Sequence, residues 1–579
     1  MAQGTKKSVR KLPKPKLSKE ELAKRRRERA RERSFLRSHR VIFERIGFSR
    51  ITPVDGVHFE FEGLKSELDD IFVFENVVVL AEYTRSSGAG LAKHAKGKGG
   101  VHSKIAENPV KFLEFFRKKS TGLDEWFRDV NYTPKQLEVR IIYASIDSLE
   151  DHHKALFKSS KFMSLAERSY FNNLTRVVKI SARQEVLEFL GVDPNNVGQD
   201  GVISTTTPED DYQALLLPRE QSHFPDGFRI VSFYIDPDAL LRRAYVLRRN
   251  GWRDSLNLYQ RLIIPSKIKA IRAHLREKER VFANNIVITL PADAKIEDVS
   301  GHVLSDEDIS KPTPATLKLK KRGNSVGIID GQHRVFSYYA DITPDKKIDK
   351  YRLQQNLLAT GIIYPSGMKD QERERFEAGL FLEINSTQAS AASDIIQAIW
   401  VLLDPFKPIS VSRVVVNRLA VTQPLAGRLA RSSLDSGRIK TASIVAYGLQ
   451  PLTKRSGNDS LFSIWDQNDA KARFADGTAT NDDLDAYIDF CVSTISGFLA
   501  ECRTALDSGK WKLVGDDGGI LSVTVVNGLI ILLRKLIADG KFSGVPSNLN
   551  LGGINSVDFK SYKSSQYADL ATILRSKVK

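Results

Sequence analysis

Apolar positions along the 579-residue chain fall into three successive patterns. Between about residues 38 and 215, short runs at Val41–Ile46, Val57–Phe61, Ile71–Phe74 and Val77–Ala81 precede a helical spacing at Pro109–Phe116 and another run at Leu137–Ala144. This order of helix, strands, helix and strand predicts a compact α/β domain over 38–215. The Pro- and Asp-rich stretch Val192–Asp211 and the Pro218–Pro225 region read as a linker. A second α/β pattern covers 226–395. It runs through a strand at Phe228–Ile235, helices at Pro237–Arg249 and Ser266–Lys278, strands at Asn285–Leu290 and Ser325–Ile329, and a helix at His333–Tyr339. Gly361–Tyr364, a charged helix around Asp370–Glu377 and the segment Leu380–Gln388 follow. From 396 to 579 the periodicity is largely helical, with a Gly/Ser/Asp-rich interruption over 455–480. The fold class is therefore multidomain α/β with a mostly helical C-terminal region.

Charge adds a fourth segment. The net charge is +18, yet residues 1–40 hold 16 Lys and Arg against 4 Glu, so the basicity belongs mostly to the N-terminus. Residues 1–17, with Pro13 and Pro15 among lysines, bury too little apolar surface to fold alone. Ser18-x-x-Glu21 has the form of a capping box and starts a helix through Lys24, Arg25, Arg26 and Arg27, so residues 1–37 are a basic disordered or helical tail. Such a block suits phosphate backbones and equally serves as a solubilising tail. Lys96 and Lys98, in the Gly-rich basic stretch Ser86–Gly100, join Lys24–Arg27 as nucleic-acid-binding candidates on a surface loop. Cys491 and Cys502 fit neither a zinc site nor a disulfide framework, and a reducing cytoplasm is expected. No apolar run follows Lys6, Lys7 and Arg10, so no secretory signal is expected. Ile520–Leu533 is too short to span a bilayer, so no membrane partner is expected either.

The chemistry is concentrated at two places. The first is Ser325–Ile329 followed by Asp330-Gly331-Gln332-His333-Arg334, which reads as buried strand, glycine turn and helix start. A helix N-terminus after a glycine presents free N–H groups to an anion. Arg334 can clamp phosphate oxygens, His333 can donate or carry a proton, and Asp330 can hold Mg²⁺ or cap the helix. The same residue types also make an ordinary cap and turn with local ion pairs. The string resembles the namesake motif of the DGQHR-domain family, the DndB- and DpdB-like proteins of bacterial DNA modification, distant members of the ParB/sulfiredoxin fold. Tyr259-Gln260-Arg261, Asn284–Ile288, Phe381–Gln388 and Ile439–Ser443 stand where that family shows similar segments. The resemblance implies a nucleotide site at Asp330, Gly331, Gln332, His333 and Arg334, with Arg261, Asn385 and Gln388 as polar partners. ATP or another NTP with Mg²⁺ would be its ligand.

The second place is Glu67–Thr84. This segment resembles the central hairpin of restriction-endonuclease-like nucleases, whose sites read D…(D/E)-x-K. Asp69 and Glu82 on neighbouring strands would share a divalent ion that activates water, with Glu44 on the preceding helix. The position expected to hold the lysine is Thr84, whose hydroxyl supplies no positive charge. Lys93, Lys96 or Lys98 would have to take its place. Without that the segment reads as a degenerate restriction-endonuclease-like domain that binds DNA or serves as scaffold, or as an ordinary hairpin with solvated acids, and nuclease activity is the less expected outcome. His94 and His102 read as solvated loop residues.

Three readings follow. One is a nucleotide-binding, DNA-associated protein of a modification or phage-defence system, with Asp330 and His333 as its chemical groups. The second is a metal-dependent nuclease using Asp69 and Glu82. The third is a non-enzymatic regulator that binds DNA through its basic tail. DNA is the expected partner in all three, other proteins of such an operon fit beside it, and self-association is left open.

Overall fold

The computed structural model describes residues 19–579 except 87, 147–156, 158–159, 199–206, 249–251, 253–261, 306–308, 387–392, 431–434, 436, 545–548 and 579. The fold is mixed α/β, and the chain divides into two compact units. One holds the residues up to Arg176 with short returns at Leu190–Val192 and Val197–Gln199; the other holds Val177–Phe189, Asp193–Asn196 and everything from Asp200. Among the described residues no helix is long and apolar enough to cross a membrane.

In the first unit, α1 (Lys19–Arg45) leads into β1 (Ser49–Ile51), and a small hairpin of β2 (Phe59–Phe61) and β3 (Leu64–Ser66) follows. Then come β4 (Asp70–Phe74), β5 (Val77–Thr84), α2 (Gly88–Glu107), α3 (Pro109–Arg117), α4 (Thr121–Asp129), β6 (Glu138–Ser145) and β7 (Ser160–Met163). The sheet order is β1-β4-β5-β6-β7. β1, β4 and β5 are antiparallel, whereas β6 joins β5 in parallel after the helical crossover. All eight residues of β5 are buried, as expected of a central strand covered on both faces. One covering layer includes Val101, Ile105, Phe112 and Phe116, packed with Ile71, Val78 and Leu80. The other side is pinned by Asp70, whose fully buried carboxylate accepts from Arg40 of α1 (2.7 Å) and from Arg50 of β1.

The stretch expected as a Gly-rich loop is instead the body of α2. Its buried positions Leu91, Ala95, Val101, His102 and Ile105 recur at helical spacing, so burial of one stripe outweighs the glycine propensities. The basic tail is helical from Lys19; residues 1–17 lie outside the described residues. Arg25, Arg26 and Arg27 are exposed, and the first buried side chain of α1 is Phe35.

The second unit is built on an eight-stranded sheet. Its strands are β8 (Glu209–Leu217), β9 (Arg229–Ile235), β10 (Ala244–Tyr245), β11 (Ile286–Leu290), β12 (Lys295–Glu297), β13 (Thr313–Lys320), β14 (Val326–Asp330) and β15 (Leu357–Ile363). The spatial order is β10-β14-β11-β15-β9-β8-β13-β12. β8, expected as linker and domain end, pairs with both β9 and β13 and so belongs to this sheet. The segment Leu380–Gln388 is entered by a single helix, Asp370–Ser386. Glu377 of that helix is buried and accepts from the hydroxyls of Tyr245 (2.5 Å), Thr289 (2.7 Å) and Tyr364, clasping helix to sheet. Gly327 of β14 makes room for it, since a Cβ there would come within 2.6 Å of the Glu377 carboxylate. From Ser393 onward the chain is mostly helical around one core that includes Val415, Leu449, Leu499 and Leu533. Cys491 and Cys502 lie buried and unbonded within it.

Candidate functional site

The hairpin β4–β5 sets the site. Asp69 donates its backbone N–H to Ala81 O (3.1 Å) just before β4 begins, and its carboxylate accepts from the Tyr83 N–H at 2.6 Å. The Asp69 carboxylate is thereby held beside the strand that carries Glu82. Glu82 sits at 3 % exposure on β5, opposite Tyr143 of the parallel neighbour. Thr84 lies two residues on and so on the same face. It is buried, and its hydroxyl accepts from the Ser86 N–H at 3.1 Å.

Helix α2 starts four residues after β5 and crosses the sheet, and Lys98 projects from it. Its ammonium stands 2.7 Å from Glu82 Oε1 and donates to the Glu67 carbonyl at 3.0 Å, with the side chain only 14 % exposed. One turn earlier, on the same helix face, His94 places Nε2 at 3.7 Å from the same oxygen and Nδ1 at 2.8 Å from the Tyr143 hydroxyl. The cationic group absent at Thr84 is therefore delivered from the crossover helix. A cavity of about 590 Å³ opens beside this cluster, with His58, Lys65, Glu67, His94, Lys98 and Lys119 in its wall.

Electrostatics mark the same spot. Burial pushes the Glu82 carboxyl up to about 8, although Lys98 opposes the shift, and the neighbouring Asp69 adds to it. Burial likewise raises Asp69 to about 6 against the pull of the Tyr83 N–H and Lys98. Glu82 therefore holds its proton through neutral pH while Asp69 ionises just below it, and one lysine does not compensate both. Glu82 Oε2 is buried and has no hydrogen-bond partner among the described residues. A divalent cation taken up by this oxygen and the neighbouring Asp69 would restore the missing positive charge. Among the described residues no group of three or more His, Cys, Asp or Glu side chains converges as a metal cage. Asp69 and Glu82 would supply two carboxylates, within the one or two that Mg²⁺ commonly takes from protein.

The two histidines lie on helix α2 and not in a loop, His94 half-buried and His102 buried. His102 is buried, its Nδ1 lies 3.1 Å from the Ser160 hydroxyl, and burial lowers it to about 3. His94 is lowered by burial and by Lys98. Reading the stretch as a loop hid His94 from the site, although its i,i+4 spacing to Lys98 and the Leu91, Ala95, His102, Ile105 stripe were available signals. Glu44 is exposed, as is Lys96. Arg25–Arg27 are exposed on α1, and the side chain of Lys24 lies outside the described residues.

The DGQHR junction has a different character. β14 ends at Asp330, Gly331 takes the left-handed conformation (φ 98°), and the helix that follows is only Gln332–Phe336, shorter than the expected run to Tyr339. Five residues sum too few peptide dipoles for a strong anion site. Asp330 does not cap that helix; its carboxylate pairs with Arg334 one turn on at 2.8 Å. His333 Nε2 accepts from the Ile264 N–H at 3.0 Å, which places any ring proton of the neutral form on Nδ1. Gln332 accepts from Arg248 Nε at 3.3 Å, and Arg248 itself pairs with Glu185 at 2.5 Å. Asn385 donates to Phe381 O within its own helix (2.9 Å), while Arg261 and Gln388 lie outside the described residues. A Cβ on Gly331 would come within 2.6 Å of Ile286, so the glycine also serves close packing.

No protein-family model, curated protein sequence or solved structure is significantly similar to the chain.

Proposed function

We propose that the chain is a metal-dependent phosphodiester hydrolase acting on DNA, with Asp69, Glu82 and Lys98 as its working residues. One observation carries the reading: the Lys98 ammonium lies 2.7 Å from a buried, incompletely compensated Glu82, beside a cavity whose wall holds Lys65 and Lys119 with Glu60 and Glu67. Asp69 and Glu82 would hold Mg²⁺, whose chemistry there is to lower the pKa of water and offset charge on phosphate. Lys98 supports the Glu82 carboxylate and presents a fixed cation to the phosphate oxygens as negative charge builds on them. The near-complete burial of Glu82 strengthens both effects by excluding bulk water. Water oxygen bonds to phosphorus and gives up one proton to solvent, the ester bond to the departing sugar oxygen breaks, and that oxygen takes a proton from solvent, so the two proton transfers cancel. DNA as substrate rests on the exposed arginines of α1 and on the resemblance of Asp330–Arg334 to proteins of DNA modification and defence. The helix–strand order of the first unit, with its parallel β5–β6 pair after a helical crossover, is the arrangement that restriction-endonuclease-like domains would require. The test is Mg²⁺- or Mn²⁺-dependent cleavage of plasmid DNA by wild type and by Glu82→Gln. Cleavage by the wild type that is lost in the variant is expected, and equal cleavage by both removes this site.

The nucleotide reading of the DGQHR junction ranks below it. Asp330 and Arg334 neutralise each other and His333 is engaged by backbone, so these groups show no unmet demand for a ligand.

A further inference from the structure

The cavity beside Lys98 and His94 carries three lysines, Lys65, Lys98 and Lys119, against the two acids Glu60 and Glu67. Lys65 of the β2–β3 hairpin has a side chain 84 % exposed and lies 3.9 Å from the less exposed Glu60 (57 %), a pairing that restrains it little. Lys119, in the turn after α3, is also exposed, with its ammonium 5.5 Å over the Phe115 ring. Both line the cavity together with Lys98. The α2 wall presents Gly97, where a Cβ would meet no atom within 4 Å. A glycine inside a helix costs roughly 0.5–1 kcal/mol relative to alanine. Neither a positive φ nor close packing accounts for this one. Open space over a bare helix surface lets another backbone approach closely, and lysines on either side of it suit phosphodiester charges as mobile point cations.

We propose that the sugar–phosphate backbone of the strand being cut crosses the Gly97 face of α2, with flanking phosphates held by Lys65 and Lys119. The proposal rests on the phosphodiesterase reading, which puts the scissile phosphate at Lys98. It makes Lys65, Gly97 and Lys119 substrate-positioning residues, and bulk and charge can be altered separately. The experiment measures anisotropy of a fluorescein-labelled single-stranded DNA oligonucleotide with the full chain, in EDTA to prevent turnover, over a range of salt concentrations. Lys65→Ala/Lys119→Ala is expected to weaken binding at every salt and to reduce the slope of log affinity against log salt by about 1.4, roughly 0.7 for each single-strand phosphate left without its lysine. Gly97→Leu is expected to weaken binding at least about tenfold by filling the track, while its Tm does not fall, because leucine is the better helix former. Weakened binding in both variants supports the proposal; wild-type affinity in either overturns it. Glu82→Gln keeps the two readings apart. Undiminished cleavage by Glu82→Gln removes the phosphodiesterase assignment, whereas undiminished binding by the Gly97 or lysine variants removes the backbone track alone.

Discussion

The two motif-bearing junctions of this chain, β4–β5–α2 and β14–Gly331–Gln332, both follow a buried strand with charged residues, yet they settle their charges in opposite ways. At the second, the motif side chains find partners of matching kind: Asp330 meets Arg334, His333 takes an N–H, and Gln332 meets an arginine that is paired with Glu185, although Nη2 of that arginine, Arg248, is itself buried without a hydrogen-bond partner among the described residues. At the first, two acids share one lysine in a buried setting, both hold their protons above the usual carboxylate range, and one carboxylate oxygen is unpaired among the described residues. A buried acid with too little compensation shifts its pKa rather than carrying a bare charge, and such shifts concentrate where a ligand or a transition state makes use of them. A recognisable string is therefore a weaker guide to chemistry than an unbalanced charge.

The largest effect expected from this contrast is on catalysis. Glu82→Gln should abolish metal-dependent DNA cleavage, while Arg334→Ala leaves it within about a factor of two of wild type, since the half-buried Asp330–Arg334 pair belongs to the other compact unit and not to the Asp69–Glu82–Lys98 cluster. A cleavage defect in Arg334→Ala equal to that of Glu82→Gln would break the contrast. Next comes stability. Asp70→Asn strands Arg40 and Arg50 beside a fully buried position and should cost the first unit about 3 kcal/mol, read as a lower denaturant midpoint. A third effect is on pH dependence. Folded Glu82 and Asp69 bind protons more tightly than their unfolded counterparts, so their contribution is present in full below about pH 4 and is lost as pH rises through about 6 and then about 8. The metal-free Tm should fall across that window, the fall should shrink in Glu82→Gln, and added Mg²⁺ should raise Tm more at pH 8 than at pH 5. A pH-independent Tm over this range would contradict the assigned burial. The smallest effect concerns nucleotides: ATP and CTP should bind negligibly to wild type and to Arg334→Ala alike, and tight binding lost in that variant would restore the junction as a ligand site.

What was legible in the sequence was local. The apolar runs of β4 and β5 identified the hairpin, which carries Glu82 on β5 and begins one residue after Asp69. Strands β9, β11 and β14 were visible for the same reason. The rest depended on long-range packing. Composition favoured a loop at 86–100, yet the buried stripe of α2 won and carried Lys98 onto Glu82. The partners that quiet the DGQHR residues, Ile264 and Arg248, lie 69 and 84 residues away along the chain, beyond the reach of any short pattern. The strand Glu209–Leu217 begins in a Pro- and Asp-rich stretch and is stabilised by two neighbours rather than by its own propensity.

The central claim is that Lys98 supplies the charge Thr84 lacks, and moving that charge tests it. Cleavage of labelled duplex DNA in Mg²⁺ should drop on the order of 10²–10³-fold in Lys98→Ala, the loss typical of a removed electrostatic stabiliser. Part of that rate should return in Lys98→Ala/Thr84→Lys, where a lysine rejoins the Glu82 face of β5. Wild-type cleavage by Lys98→Ala would contradict the account.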